Sequence, residues 1–168
     1  NFLELKNLFF LNKTKITEVI NSNKLIEKYT IYKNYPSTLN IKVYKTNFLA
    51  QINKDGKIFL LGSNGKLIKT QNLKKDIPFI FGNFNNKNFF ELKNAIDETS
   101  FDYTIVKNLF FFKSGRWDIE TNNGLIVRLP KDEIKKSIEL LIRIIAKDDK
   151  KKINKIDLRQ LNQIIVNE

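Results

Sequence analysis

Apolar and polar residues change their spacing several times along the chain, and each change marks an element. From Lys15 to Ser22, Ile16, Val19 and Ile20 fall on one helical face, with Thr14 in the N-cap place. The period then shortens to two. Tyr29, Ile31, Lys33 and Tyr35 alternate with Lys28, Thr30, Tyr32 and Asn34; after a Tyr35-Pro36-Ser37 turn, Leu39, Ile41 and Val43 alternate with Asn40, Lys42 and Tyr44. That pattern predicts a hairpin with one face resting on helices. Upstream, Leu3, Leu5, Leu8 and Phe9 make a short helical or irregular stretch.

Short strands with turn punctuation follow. Phe48 to Asn53 leads to Asp55-Gly56, and Lys57 to Leu61 leads to Asn64-Gly65, the dipeptides that tight hairpins take because they tolerate positive φ. Pro78 to Gly82 is a short apolar run. A helix is predicted from Lys87 to Glu98, with Phe89, Leu92 and Ile96 on one face and Asn88 with Glu91 as a capping pair. Strands resume at Tyr103 to Lys113, Arg116 to Thr121 and Leu125 to Leu129, jointed at Ser114-Gly115 and Asn123-Gly124. The clearest helix runs from Lys131 to Lys147 behind Pro130, with Asp132 and Glu133 in its first turn and a stripe of Ile134, Ile138, Leu141, Ile142 and Ile145. A polar linker, Asp148 to Lys152, precedes two apolar segments, Ile153 to Arg159 and Gln163 to Val166. The chain reads as α+β, an α-then-hairpin unit ending near Tyr44 and a strand-rich remainder.

Composition narrows the chemistry. With His 0 and Cys 0, a disulfide, a Cys/His zinc site, a Ser-His-Asp triad and a thiol nucleophile are ruled out. Asp97-Glu98 closes a helix, Asp148-Asp149 sits in the linker, and Gly62-Ser63-Asn64-Gly65 has hairpin-turn rather than nucleophile-elbow spacing. No catalytic set, metal site or cofactor site is expected, and the chain is read as a non-enzyme. The net charge of +12 raises nucleic acid as a partner. Yet the basic residues are overwhelmingly Lys, with Arg only at positions 116, 128, 143 and 159, whereas Arg is favoured for phosphate and base recognition. A solvated Lys-rich surface is the better reading, and Phe110-Phe111-Phe112 reads as a core strand rather than a base-stacking platform. Ile138 to Ala146 is too short to span a bilayer and carries Glu139 and Arg143. Met is 0 and the first residue is Asn1, so a longer parent chain is expected.

Two segments stand out: Arg116-Trp117-Asp118-Ile119, with the single Trp, and Ile156-Asp157-Leu158-Arg159. Read locally, they hold a core or rim aromatic and an ion pair. In order along the chain stand Tyr35-Pro36-Ser37-Thr38-Leu39-Asn40-Ile41, Phe48-Leu49-Ala50, Gly62-Ser63-Asn64-Gly65-Lys66-Leu67-Ile68 and Pro78-Phe79-Ile80-Phe81-Gly82. Then come Arg116 to Ile119, Asn123-Gly124 to Leu129-Pro130, a long helix and Ile156 to Arg159. This series resembles the FtsQ/DivIB cell-division family, most closely its alphaproteobacterial form, over nearly the whole chain.

The resemblance implies an incomplete POTRA domain over residues 1–46, with α-α-β-β remaining, followed by an FtsQ-type β domain with two helices over residues 47–168. It implies a non-catalytic divisome scaffold, anchored in the cell inner membrane by one upstream transmembrane helix, with this region in the periplasm at the division site. FtsB-like and FtsL-like proteins would be its partners, taken up by strand addition at the C-terminal edge. The residues implied are Asp157, Arg159, Gln160, Asn162, Gln163 and Ile164 along that edge, with Arg116 and Trp117 as a second contact. Where family members often carry Tyr and Gly, this chain has Gln160 and Gln163. Two alternatives stand beside it: a POTRA-bearing outer-membrane assembly or secretion component, and a basic nucleic-acid-binding module.

Overall fold

The computed structural model describes residues 13–147, 153–160 and 163–167. The upstream apolar stretch, the polar linker and Asn162 lie outside the described residues. Among the described residues two sheets form, each with its own core. The first unit is α1 (Lys13–Ser22), β1 (Ile26–Asn34) and β2 (Thr38–Lys45), the strands pairing antiparallel with Ile31 opposite Ile41. Ile16 and Ile20 are buried against Ile26, Tyr29, Ile31 and Leu39. The helix begins before Thr14, which is therefore inside it, and Val19 faces away at 65% exposed.

The second unit contains β3 (Phe48–Lys54), β4 (Lys57–Gly62), β5 (Leu67–Thr70), β6 (Phe79–Phe81), α2 (Asn86–Asp97), β7 (Val106–Phe111) and β8 (Trp117–Thr121). It continues through β9 (Ile126–Arg128), α3 (Ile134–Lys147), β10 (Lys155–Gln160) and β11 (Gln163–Asn167). These strands make one nine-stranded sheet in the order β11-β10-β9-β8-β7-β6-β3-β4-β5. Three neighbouring pairs are parallel: β3 with β6, β6 with β7, and β9 with β10. Parallel neighbours need a crossover, and the two helices supply two of them, α2 between β6 and β7 and α3 between β9 and β10. The helices cover one face. Ile80, Leu109, Ile119, Val127 and Ile156 lie opposite one another on five successive strands and pack with Phe89, Leu92 and Ile96 of α2 and Ile138 and Leu141 of α3.

Turn chemistry explains the hairpins. Lys54 pairs with Lys57, so Asp55-Gly56 is a two-residue loop, with φ of 52° and 71°. Three other loops share a longer design: Gly62 to Lys66, Phe112 to Arg116 and Thr121 to Leu125. In each, the first residue's N–H donates to the carbonyl four places on, and a glycine (65, 115 or 124) donates back to the first carbonyl. Each of those glycines has positive φ, as a three-residue hairpin loop with a bulge requires.

Several predicted boundaries move. Residues Tyr103–Ile105 form a 3-10 turn rather than strand. Helix α2 is capped one turn earlier than expected, by reciprocal hydrogen bonds between Asn85 and Asn88. Helix α3 starts at Ile134 because Glu133 takes φ of 57°, which no helix continues; Pro130 and Asp132 stand outside it, and Ile145 is exposed. Strand β5 has no counterpart among the predicted strands. The three phenylalanines split by parity: Phe111 packs on Trp117, Phe110 stacks on Phe81 across the other face, and Phe112 lies under the Arg116 guanidinium.

The two units meet through polar groups. The β4–β5 loop reaches into the root of the first hairpin: Asn64 Nδ2 donates to the carbonyls of Lys24 and Ile26, both at 3.0 Å. A hydroxyl has one proton, so the surrounding bonds have a fixed direction. Asn64 N–H donates to Thr46 Oγ1 (3.3 Å), Thr46 then donates to Ser63 Oγ (3.0 Å), and Ser63 donates to Glu27 (2.7 Å). Lys66 Nζ caps the Asn21 carbonyl at 2.9 Å. Gly62 makes room, since a Cβ there would stand 2.6 Å from Thr46 Oγ1. Asn64→Ala removes two of these bonds and should cost about 1–2 kcal/mol. With Cys 0 in the chain, spin labels on one introduced cysteine in each unit would show the inter-unit distance distribution broadening; an unchanged width would refute the role given to Asn64.

Candidate interaction site

Residues opposite one another in a sheet share a face, so the register alone assembles the site. On the face away from the helices, Phe81, Phe110, Asp118, Arg128, Asp157 and Ile165 form one continuous row across β6, β7, β8, β9, β10 and β11. Strand parity adds Arg116 beside Asp118 and Arg159 beside Asp157. Three of the chain's four arginines therefore meet two aspartates in a line: Arg116, Asp118, Arg128, Asp157, Arg159.

The links in that line differ. Arg159 holds Asp157 in a fork, Nε to both carboxylate oxygens at 2.9 and 3.0 Å and Nη2 to Oδ2 at 2.7 Å, and its own backbone N–H adds a fourth bond. These bonds keep the Asp157 carboxyl below its ordinary value although it is buried, and push the Arg159 guanidinium pKa up. Asp118 is held loosely, by Arg116 Nε at 3.4 Å and Arg128 Nε at 3.7 Å. Burial then outweighs the three nearby guanidiniums, and the Asp118 carboxyl is raised. Arg116 also lies over the Phe112 ring, 4.0 Å from its centroid.

The site residues expected from sequence are distributed unequally. Asp157, Arg159 and Arg116 belong to the row. Trp117 does not: it is 1% exposed, packed between Phe84 and Phe111 on the helix-covered face, and so cannot be a surface contact. Its place beside Arg116 and Asp118 makes it their anchor. Gln160 is exposed and pairs with Gln163 where β10 turns into β11. Gln163 and Ile164 lie in β11, and Asn162 is outside the described residues. Asp118 and Arg128 belong to the row although the sequence reading does not include them among the site residues. The available signal was the scarcity of Arg in a Lys-rich chain, together with the Arg-x-Asp and Asp-x-Arg spacings that put like-numbered neighbours on one strand face.

Strand β11 ends the sheet order, paired with β10 on one side and with no described strand on the other. Among the described residues no group of three or more His, Cys, Asp or Glu is placed to hold a metal, and no helix is long and apolar enough to cross a membrane. The fold and this face define an α+β protein whose mixed sheet is backed by helices on one side and, among the described residues, ends in β11 at one edge and β5 at the other.

The family model described as cell division protein FtsQ/DivIB, C-terminal, matches residues 50–159, and the chain belongs to the FtsQ/DivIB family. It is 22% identical over 168 residues to the cell division protein FtsQ of Bradyrhizobium diazoefficiens, covering 95% of this chain and 48% of that one. Against the cell division protein DivIB of Clostridium botulinum it is 26% identical over 175 residues, covering 89% of this chain and 65% of that one. The chain thus spans about half to two thirds of the length of these relatives. A solved structure, the major extracytoplasmic domain of the trans isomer of DivIB from Geobacillus stearothermophilus, covers 65% of this chain and 99% of its own, at 17% identity and a TM-score of 0.46.

Proposed function

We propose that this chain is the periplasmic part of an FtsQ-type scaffold of bacterial cell division, held in the inner membrane by a single helix upstream of this segment. In this reading residues 1–46 are what remains of a POTRA domain and residues 47–168 are the FtsQ-type β domain. The protein works without catalysis: it takes up FtsB-like and FtsL-like partners at the division site and supports septum assembly. The partner strand adds to β11, where main-chain hydrogen bonds supply affinity and the residues from Asp157 to Ile164, with Arg116, supply specificity.

The observation that supports this reading is the sheet order, in which β11 ends the row with no described strand on its outer side. No proline follows Pro130, so no residue of that strand lacks an N–H, and the N–H groups that point away from β10 are the ones it offers. The test is a variant ending at residue 162, compared with the whole chain for binding to the periplasmic segment of an FtsB-like partner. Loss of at least ~100-fold in affinity is expected. Fluorescence of the buried Trp117 tells a folded variant from an unfolded one. A folded variant that still binds normally would end the strand-addition reading.

A further inference from the structure

We propose that Arg128, two strands in from the edge, is the residue that takes a carboxylate of the partner, and that the partner therefore crosses the open face as well as pairing with β11. This rests on the strand-addition reading and specifies its chemistry.

The arginines of the row are not equally available. Arg159 uses Nε and Nη2 on Asp157. Arg116 uses Nε on Asp118 and Nη1 on Ser114, and its plane rests on Phe112. The Arg128 side chain donates no hydrogen bond to any described residue: its two contacts, Nε to Asp118 at 3.7 Å and Nη1 to Asp157 at 3.6 Å, are beyond hydrogen-bond reach. Its Nε is, among the described residues, a buried side-chain donor without a partner, while 32% of the side chain stays exposed. Buried donors are rarely left so, and a guanidinium is built for a planar, two-oxygen acceptor.

Charge selects the ligand. Three guanidiniums against two carboxylates leave the row one positive charge, which a single carboxylate neutralises. A doubly charged phosphate would overshoot that single charge and meet about twice the repulsion a carboxylate meets from Asp118 and Asp157, which flank Arg128 on both sides. Position selects the route. A strand added outside β11 would lie three strand spacings from β9, about 14 Å. That exceeds what an aspartate or glutamate side chain on the added strand can span. The acid must come from a part of the partner that turns back over Ile165, which is 52% exposed on the same row.

Two measurements test this. In the first, the FtsB-like periplasmic segment is titrated into wild type, Arg128→Gln, Arg128→Lys, Arg159→Gln and the variant ending at residue 162. Arg128→Gln should weaken binding about tenfold or more and flatten its salt dependence. Arg128→Lys should recover only part, since it keeps the charge and loses the fork. Arg159→Gln should cost less than Arg128→Gln. Normal binding by Arg128→Gln, with loss in the truncated variant, would overturn this inference and leave strand addition standing. In the second, glutarate is titrated into wild type while the four arginine Nε–H signals are followed by NMR. A saturable shift largest at Arg128 is expected. This arm decides the site even if no partner binds wild type, an outcome that would sink the strand-addition reading instead; a uniform, non-saturating drift of all four signals would overturn the site itself.

Discussion

Trp117→Ala is expected to cost about 4 kcal/mol of folding stability, within the range for a buried aromatic cut to alanine. The ring is 1% exposed and sits 4.7 Å from Phe111 and 5.8 Å from Phe84, centroid to centroid, so the surrounding side chains cannot close the space it leaves. A typical domain has a total of about 5–15 kcal/mol, so the loss is a large part of it. The second consequence is local. Trp117 fixes the start of β8, and Arg116 and Asp118 project from the two residues on either side of it. On the proposed strand-addition reading the variant should therefore weaken partner binding although the ring lies on the helix-covered face. Trp117→Phe, which keeps an aromatic filler, should cost much less, about 1–2 kcal/mol. Urea denaturation followed by far-UV circular dichroism measures both, and a cost below about 1 kcal/mol for Trp117→Ala would refute its place in the core.

Trp117 also shows what the sequence could tell. In Arg116 to Thr121 the polar residues at 116, 118 and 120 alternate with apolar ones at 117 and 119, so strand parity alone puts Trp117 with Ile119 on the covered face. The hairpins were legible for the same kind of reason: alternation marks the strands, and Asp-Gly or Asn-Gly marks the loops. Strand β5 escaped because Leu67 and Ile68 are adjacent and both half-buried, with no alternation to betray them. The start of α3 escaped because a positive φ at Glu133 is set by its surroundings and leaves no trace in residue type. The site was half legible. Arg-x-Asp and Asp-x-Arg could each be seen, but their union through Arg128 depends on β10 returning parallel to β9 after α3, and local patterns do not encode that pairing. Likewise the position of β11 at the end of the row follows from the order of all nine strands rather than from its own residues.

The two aspartates of the row should respond to mutation with opposite sign. Asp157→Ala should cost about 3 kcal/mol, because it strips a four-bond acceptor from Arg159 and one of the two charges beside Arg128. Arg159 is partly exposed and can hydrate, which places the cost at the low end for a broken buried pair. Asp118→Asn should be neutral or slightly stabilising at pH 7. Burial disfavours the Asp118 charge more than its loose arginine contacts favour it, and an amide oxygen can still accept from Arg116. Their pH dependences separate in the same way. The folded Asp118 carboxyl lies above its unfolded value of about 3.9, so its penalty is full at neutral pH and fades as pH falls towards that value. The folded Asp157 carboxyl lies below it, so its stabilisation survives that range and is lost only as pH drops further, through the folded value. Wild type should therefore gain a little stability on mild acidification and lose it on stronger acidification. Asp118→Asn should lack the gain, and Asp157→Asn should lack the Asp157 share of the loss. Equal costs for Asp157→Ala and Asp118→Asn at pH 7, or identical acid profiles for all three proteins, would show that the row is held as a symmetric cluster rather than as one tight pair beside one strained carboxylate.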